Sequence, residues 1–309
     1  MSFDTPIEQV EGGGRRGPAR QPAQLLAEQS YDGGLSVHDD DNAARLGLAG
    51  APIEGPTHFS QFDPLALDLF GSAWFERGCL SAHFQTMVVE GESVTAQLGP
   101  ATPDGVARID AWKADGTPVL TGSASLGRDG RTELDERRAR QAARDVGQLY
   151  IVDQVADLVG APFTEAVAVS VDVASTNGPL YPFSLAQKLD VITERSEWFD
   201  GPSPWGGAIL PSEMLSVLAH QRGHDAPVRR PSLGLFIDLE VRYEHGPVLV
   251  GQAYDVRHRI LQVGQSRSVE SWWTESTITD PERDAQVATV LLHQGVFKAS
   301  HPGHPDAAV

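Results

Sequence analysis

This sequence predicts an α+β protein built twice over, with two long central helices, each wrapped by an antiparallel β-sheet, fused in one chain. Three observations point there. In the run PIEGPTHFSQFDPLALDLF at 52–70, Phe59, Phe62, Leu65, Leu67 and Phe70 recur at near-helical spacing. From Leu80 onward the character changes, and runs rich in Val, Ile and aromatics alternate with Gly-containing turns. The same order, a helix and then about four strands, returns in the second half.

Taken in order, residues 1–24 are rich in Gly, Pro, Arg and Gln and read as a disordered arm. A first unit spans 25–126. It begins with a short segment broken at the turn Asp32-Gly33-Gly34. His38 then leads three aspartates, whose carboxylates suit the start of a short helical turn. The central helix follows. Pro64 inside it predicts a kink or a shortened helix, and Gly71 closes it. Strand-like runs then turn at Glu90-Gly91-Glu92, Pro103-Asp104-Gly105 and Ala114-Asp115-Gly116.

Residues 127–180 form a linker that is charged and helix-prone at first, with apolar spacing resuming at Leu149, Tyr150, Ile151 and Val155. A second unit spans 181–300, with its helix at 209–221, and 301–309 is a tail. Aligning Pro52 with Pro204 pairs Gly55 with Gly207 and Ser60-Gln61-Phe62 with Ser212-Glu213-Met214. Trp272 and Trp273, adjacent on one strand, point to opposite faces, one into the core and one toward an interface or an acyl tunnel.

Bulk properties bound the function. The chain has 309 residues, 40% of them hydrophobic, enough for a sizeable core. Lys and Arg number 24 against 42 Asp and Glu, a net charge of -18 that argues against nucleic acid and anionic membrane surfaces as partners. No apolar run approaches the roughly 20 residues of a membrane span, and the N-terminus lacks the apolar centre of a signal peptide. Cys79 is the only cysteine, so an intrachain disulfide and a Cys-based zinc cluster are excluded, in keeping with a cytoplasmic protein. The run Asp39-Asp40-Asp41 lacks the alternating ligands, Gly and Glu of a calcium loop, so no metal is expected.

The first half resembles the MaoC-like (R)-specific enoyl-CoA hydratases and dehydratases of the double hotdog superfamily. The likeness covers residues 30–100. His38 is followed by Asp40 at plus two and Ala44 at plus six, and Gly50-Ala51-Pro52-Ile53-Glu54-Gly55 stands where the family's Gly-Pro-Ile motif leads into the central helix, one residue short. The family's Asp, five residues before the His, falls on Gly33, and its Asn falls on Leu35. In the second half Asp190 aligns with His38. The resemblance implies a double hotdog acting on an enoyl-CoA or carrier-protein thioester in fatty acid or polyketide metabolism. It requires no cofactor, and a homodimer is compatible with it.

The chemistry assigns roles. Hydrating an enoyl thioester needs a base to take a proton from the attacking water and an acid to protonate the α-carbon, transfers that a His with a carboxylate partner performs near neutral pH. His38 is the candidate acid/base, with Asp32 or Asp40 as partner. The N-terminus of the central helix at Gly55 is the candidate oxyanion site, since glycine admits close approach to the backbone. Glu54 and His58 face the same region.

A second reading is thioester hydrolysis. Trp205-Gly206-Gly207 and Glu213 resemble the His-Gly-Gly…Glu/Asp pattern of hotdog thioesterases, with Trp in place of His and the Glu one residue early. Arg257 and Arg259, flanking His258, are candidates for coenzyme A phosphates. A third reading is an acyl-binding or assembly protein without catalysis.

Overall fold

A computed structural model of the protein describes residues 2–30, 35–127, 132–222 and 226–305. Its α-helices are α1 (Asp40–Arg45), α2 (Asp63–Phe70), α3 (Ala73–Arg77), α4 (Glu133–Ala142), α5 (Asp153–Ala156), α6 (Leu185–Val191) and α7 (Met214–His220). The run at 52–70 is therefore not one long helix. Gly55–Gln61 forms a 3₁₀ helix, and α2 takes over at Asp63. The break falls where Pro64 occupies the first turn of α2, a position at which its missing N–H removes no helical bond. Phe59, Phe62 and Leu65 are fully buried, each contributing about 1.5–3 kcal/mol through burial. The second central helix, α7, is shorter than the 209–221 expected, because Ile209 and Leu210 continue as extended chain hydrogen-bonded to Trp198 and Val248.

The strands are β1 (Glu8–Val10), β2 (Gly14–Arg16), β3 (Gly78–Phe84), β4 (Val94–Ala101), β5 (Val106–Lys113), β6 (Pro118–Leu126), β7 (Val167–Val169), β8 (Gly234–Tyr243), β9 (Tyr254–Gln265), β10 (Val269–Asp280) and β11 (Ala285–Phe297). They form one antiparallel sheet in the order β1-β2-β4-β5-β6-β3-β8-β11-β10-β9-β7. The duplication is visible in that order. Within the first half, strands two to six run β2-β4-β5-β6-β3, and within the second the same pattern runs β7-β9-β10-β11-β8. In each half the helix follows the first strand. The two halves meet at equivalent strands, β3 against β8, with Leu80 opposite Val241. This is a double hotdog.

Two corrections follow from the outermost strands. The arm at 1–24 is not disordered. β2 is the first strand of the first half, and Gly17 and Arg20 continue its hydrogen bonds onto β4. Arg20 pairs with buried Glu194 at 2.7 Å, and Arg15 pairs with Asp68 at 2.7 Å. The stretch reads as disordered by composition because these tertiary partners lie far away in sequence. The linker at 127–180 likewise contains β7, the first strand of the second half, and α4 with its capping box at Thr132. The signal for β7 was the alternation of Val167, Val169, Val171 and Val173. The tail also docks in part. His301 and His304 are buried, and His304 bonds Glu270 at 3.0 Å.

The seam between the halves is polar on the face covered by α4. Asp238 on β8 accepts hydrogen bonds from His83 on β3 (2.8 Å), His293 on β11 (2.6 Å) and Arg137 on α4 (2.9 Å). Burial works to raise its pKa, but the bonds from His293 and His83 outweigh it and hold the carboxyl at about 2. Trp273 stacks on His293 at 4.3 Å on this face, while Trp272 lines the cleft described below, so the two tryptophans do face apart.

Close packing beside the seam, between β6 and β3, sets a testable constraint. A Cβ at Gly122 on β6 would sit 1.9 Å from the carbonyl oxygen of Ser81 on the neighbouring β3. Gly122→Ala is expected to destabilise the protein by about 1–3 kcal/mol, since the obstacle is backbone and cannot rotate away. A lowered urea midpoint at unchanged m-value measures this.

Candidate active site

Residues from both halves line a cleft of 640 Å³. His38, Glu54, Gly55 and His58 come from the first half, and His220 and Trp272 from the second. Much of the remaining wall is apolar, including Phe84, Val119, Leu235 and Phe236. Arg222 and Arg230 stand exposed at the cleft.

His38 is held by local structure on both sides. Its backbone N–H donates to Ser36 Oγ at 3.1 Å, and its Nδ1 lies 2.6 Å from the Pro52 carbonyl oxygen. A carbonyl only accepts, so Nδ1 carries the proton and Nε2 keeps its lone pair. Burial lowers the pKa of His38, and the bond to Pro52 offsets part of that, so the ring is neutral at neutral pH. Pro52 is itself fixed by a β-bridge to Val89, with Ile53 donating to Val88 at 2.8 Å. The segment 52–54 is thus an extended strip on the sheet, carrying His38's anchor and Glu54.

Of the two carboxylate partners expected for His38, Asp40 bonds elsewhere. Asp40 sits in the first turn of α1, where its Oδ1 accepts from the Ala51 N–H at 3.0 Å. It orders the loop rather than the imidazole. Asp39 caps α1 through the Asn42 N–H. Asp32 lies outside the described residues, as does Gly33. Among the described residues no carboxylate bonds the ring of His38.

Gly55 is required by its surroundings in a way composition does not reveal. A Cβ there would meet the Phe84 ring at 2.9–3.1 Å, so a protein ring, not a ligand alone, demands the glycine. His58 is buried, with Nδ1 donating to Gln61 Oε1 at 3.2 Å, and burial lowers its pKa to about 4. It is a second neutral imidazole on the wall.

Glu54 is buried at 7% exposure, and its Oε1 has no hydrogen-bond partner among the described residues. Burial raises its pKa to about 7, with Lys188 pulling it down and Glu213 pushing it up. Behind it lies a buried polar cluster shared by the halves. Lys188 on α6 donates to Glu213 at 2.9 Å and to Thr57 Oγ1 at 3.3 Å. Ser60 bonds Thr193 at 3.1 Å. Thr57 and Ser60 of the first central helix thus bond across to the second half, whereas Gln61 bonds the Val94 carbonyl of the first at 3.1 Å. Asp63 bonds to both, accepting from the Ser212 N–H at 3.1 Å and Trp74 Nε1 at 3.0 Å.

The thioesterase-like residues do not assemble. Trp205 packs on Phe75 and Trp198 and donates to Glu76 at 3.0 Å. Gly207 lies beside Leu249, and Glu213 is paired with Lys188, so none of the three lines the cleft. Arg257 and Arg259 are also away from it. Arg259 pairs with Glu275 at 2.7 Å and lies over the Phe163 ring at 4.5 Å, while Arg257 is exposed on the same strand. The arginines at the cleft are Arg222 and Arg230, and the sequence signal for the latter was the pair Arg229-Arg230 ahead of Pro231. Arg229 itself is occupied by Asp153 and the Tyr150 ring.

No family model and no curated protein matches this chain. Solved structures do resemble it. The dehydratase domain of PpsC from Mycobacterium tuberculosis, determined with C12:1-CoA, is 10% identical at a TM-score of 0.47, covering 94% of this chain and 97% of that one. A protein of Chloroflexus aurantiacus described as a MaoC domain dehydratase is 15% identical at a TM-score of 0.42, covering 84% and 85%. The double hotdog protein RV0216 of M. tuberculosis is 11% identical at a TM-score of 0.48, covering 84% and 86%. The fold assignment rests on the strand order repeated in the two halves.

Proposed function

We propose that this chain is a hydratase or dehydratase of an acyl thioester, with His38 as the proton-transferring base. The observation that carries the reading is the tautomer of His38. With Nδ1–H committed to the Pro52 carbonyl, a neutral imidazole keeps a basic Nε2 in the wall of a largely apolar cleft. A base of this kind removes a proton from the α-carbon in dehydration, or returns it in hydration. The Gly55 N–H, ahead of Pro56, which has no N–H to offer, is the donor for the thioester carbonyl. Apolar side chains around the cleft suit an acyl chain, and Arg222 and Arg230 suit the phosphates of coenzyme A or of a carrier-protein arm. Cys79 is free and buried, in keeping with a reducing cytoplasm, and among the described residues no helix is long and apolar enough to cross a membrane.

A series of trans-2-enoyl-CoA substrates tests the reading. Loss of enoyl absorbance without release of thiol is the expected result. Release of free thiol would instead establish hydrolysis, and binding without either change would establish an acyl-binding protein.

A further inference from the structure

Two buried carboxylates and one buried ammonium share the space between the central helices, and the three cannot all be charged at equal ease. Lys188 from α6 and Glu213, just ahead of α7, are the titratable groups facing Glu54 from the second half. Asp63, further along the first central helix, feels Glu213 as well. Glu213 holds the lysine directly at 2.9 Å, and the hydroxyls of Ser60 and Thr57 also favour its anionic form. Oε1 of either carboxyl has no donor among the described residues, but Glu54 has only the through-space attraction of that lysine, so the direct contact is what separates the two. The pair Lys188–Glu213 is therefore the ion pair, and the remaining carboxyl keeps a proton.

We propose that Glu54 is the proton donor of the cleft, acting opposite His38 and standing in for the carboxyl that Gly33 cannot supply. The inference rests on the hydratase or dehydratase reading. Its geometry comes from the strip 52–54, where His38 is anchored on Pro52 and Glu54 follows two residues on, a span of about 7 Å in extended chain. A hydroxyacyl thioester between them has its α-carbon hydrogen at His38 Nε2 and its β-hydroxyl at Glu54. In dehydration Nε2 takes the α-proton, the C–H pair becomes the C=C bond, and the C–O bond breaks. The hydroxide leaves as water with the proton of Glu54. The imidazolium then returns its proton to the Glu54 carboxylate, and both groups are reset. Through Lys188 and Glu213 the second half sets the proton on Glu54.

The test compares wild type with Glu54→Gln and Glu54→Asp. Gln is a neutral isostere of the protonated acid, so the variant is expected to fold, and its urea midpoint checks this. Near pH 6 the unliganded wild type is expected to show protonated-carboxyl absorption from Glu54 and from Asp63, which burial also raises to about 7, and the wild type minus Glu54→Gln infrared difference is expected to leave the Glu54 band, fading as pH rises. In turnover, Glu54→Gln is expected to lose at least about 100-fold in kcat with little change in KM, and to lose the alkaline limb of the kcat profile, while Glu54→Asp recovers part of the rate. An unchanged band in Glu54→Gln, or wild-type kcat with the alkaline limb intact, overturns the assignment. A wild-type protein inactive on every enoyl thioester sinks the proposed function instead, and the infrared difference still decides whether Glu54 holds the proton.

Discussion

Replacing His38 by alanine is expected to lower kcat on an enoyl thioester by about 100- to 10,000-fold, the range that a positioned acid/base group contributes. The fold should persist, since His38 is only partly buried and its backbone N–H bond to Ser36 does not depend on the ring. His38→Gln sharpens the measurement, because a glutamine amide can still donate to the Pro52 carbonyl yet offers no basic nitrogen. Equal losses in both variants assign the effect to the lone pair of Nε2, whereas recovery in His38→Gln would show that the ring merely anchors the strip 52–54. The pH profile carries the same information. Burial depresses the pKa of His38, so the acid limb of kcat in wild type is expected below the ordinary imidazole range and absent from the residual activity of either variant. Steady-state kinetics with retained near-ultraviolet circular dichroism decides the matter, and activity within twofold of wild type would remove His38 from the reaction.

Lys188→Met is expected to give the largest loss of stability among substitutions in the polar cluster, about 3–5 kcal/mol at pH 8, because it leaves Glu213 buried with no cation. The loss should depend on pH with a definite sign. Burial raises the folded-state pKa of both Glu54 and Glu213 above the ordinary 4.5. A carboxyl raised in this way favours the folded state fully below its unfolded pKa, and that stability is lost as pH climbs through the folded value, about 7 for Glu54. Without the lysine, both groups hold their protons to still higher pH. The gap between wild type and Lys188→Met is therefore expected to widen from pH 5 to pH 8 and to close under acid conditions. Urea unfolding at the two pH values measures it. A gap that stays constant would mean that the carboxylates and the lysine are not coupled as the 2.9 Å contact implies.

Much of this protein was legible from periodicity. The four strands after each helix, the turns at Gly91, Gly105 and Gly116, and the duplication all follow from local pattern, and they appear as β3–β6 and β8–β11. The first strand of each half was not, because β2 and β7 are three residues long and owe their existence to the neighbours they pair with. The length of the central helices was misjudged for a related reason. Apolar spacing shows which side chains go inside, and Phe59, Phe62 and Leu65 did, but it does not distinguish 3₁₀ from α geometry.

The same division runs through the site. Local sequence determined His38, the loop of aspartates that caps α1, and the strip that leads into the first helix, since each depends on residues within about a turn or a short loop of one another. Only the tertiary structure decided what those groups can do. The bond to Pro52 fixes the tautomer of His38, and Phe84 explains Gly55. Glu213, which resembles a thioesterase carboxylate in sequence, becomes the counter-ion of Lys188. The proton on Glu54 is set by burial and by Lys188 and Glu213, which lie more than a hundred residues further along the chain. Spacing along the chain carries no record of them.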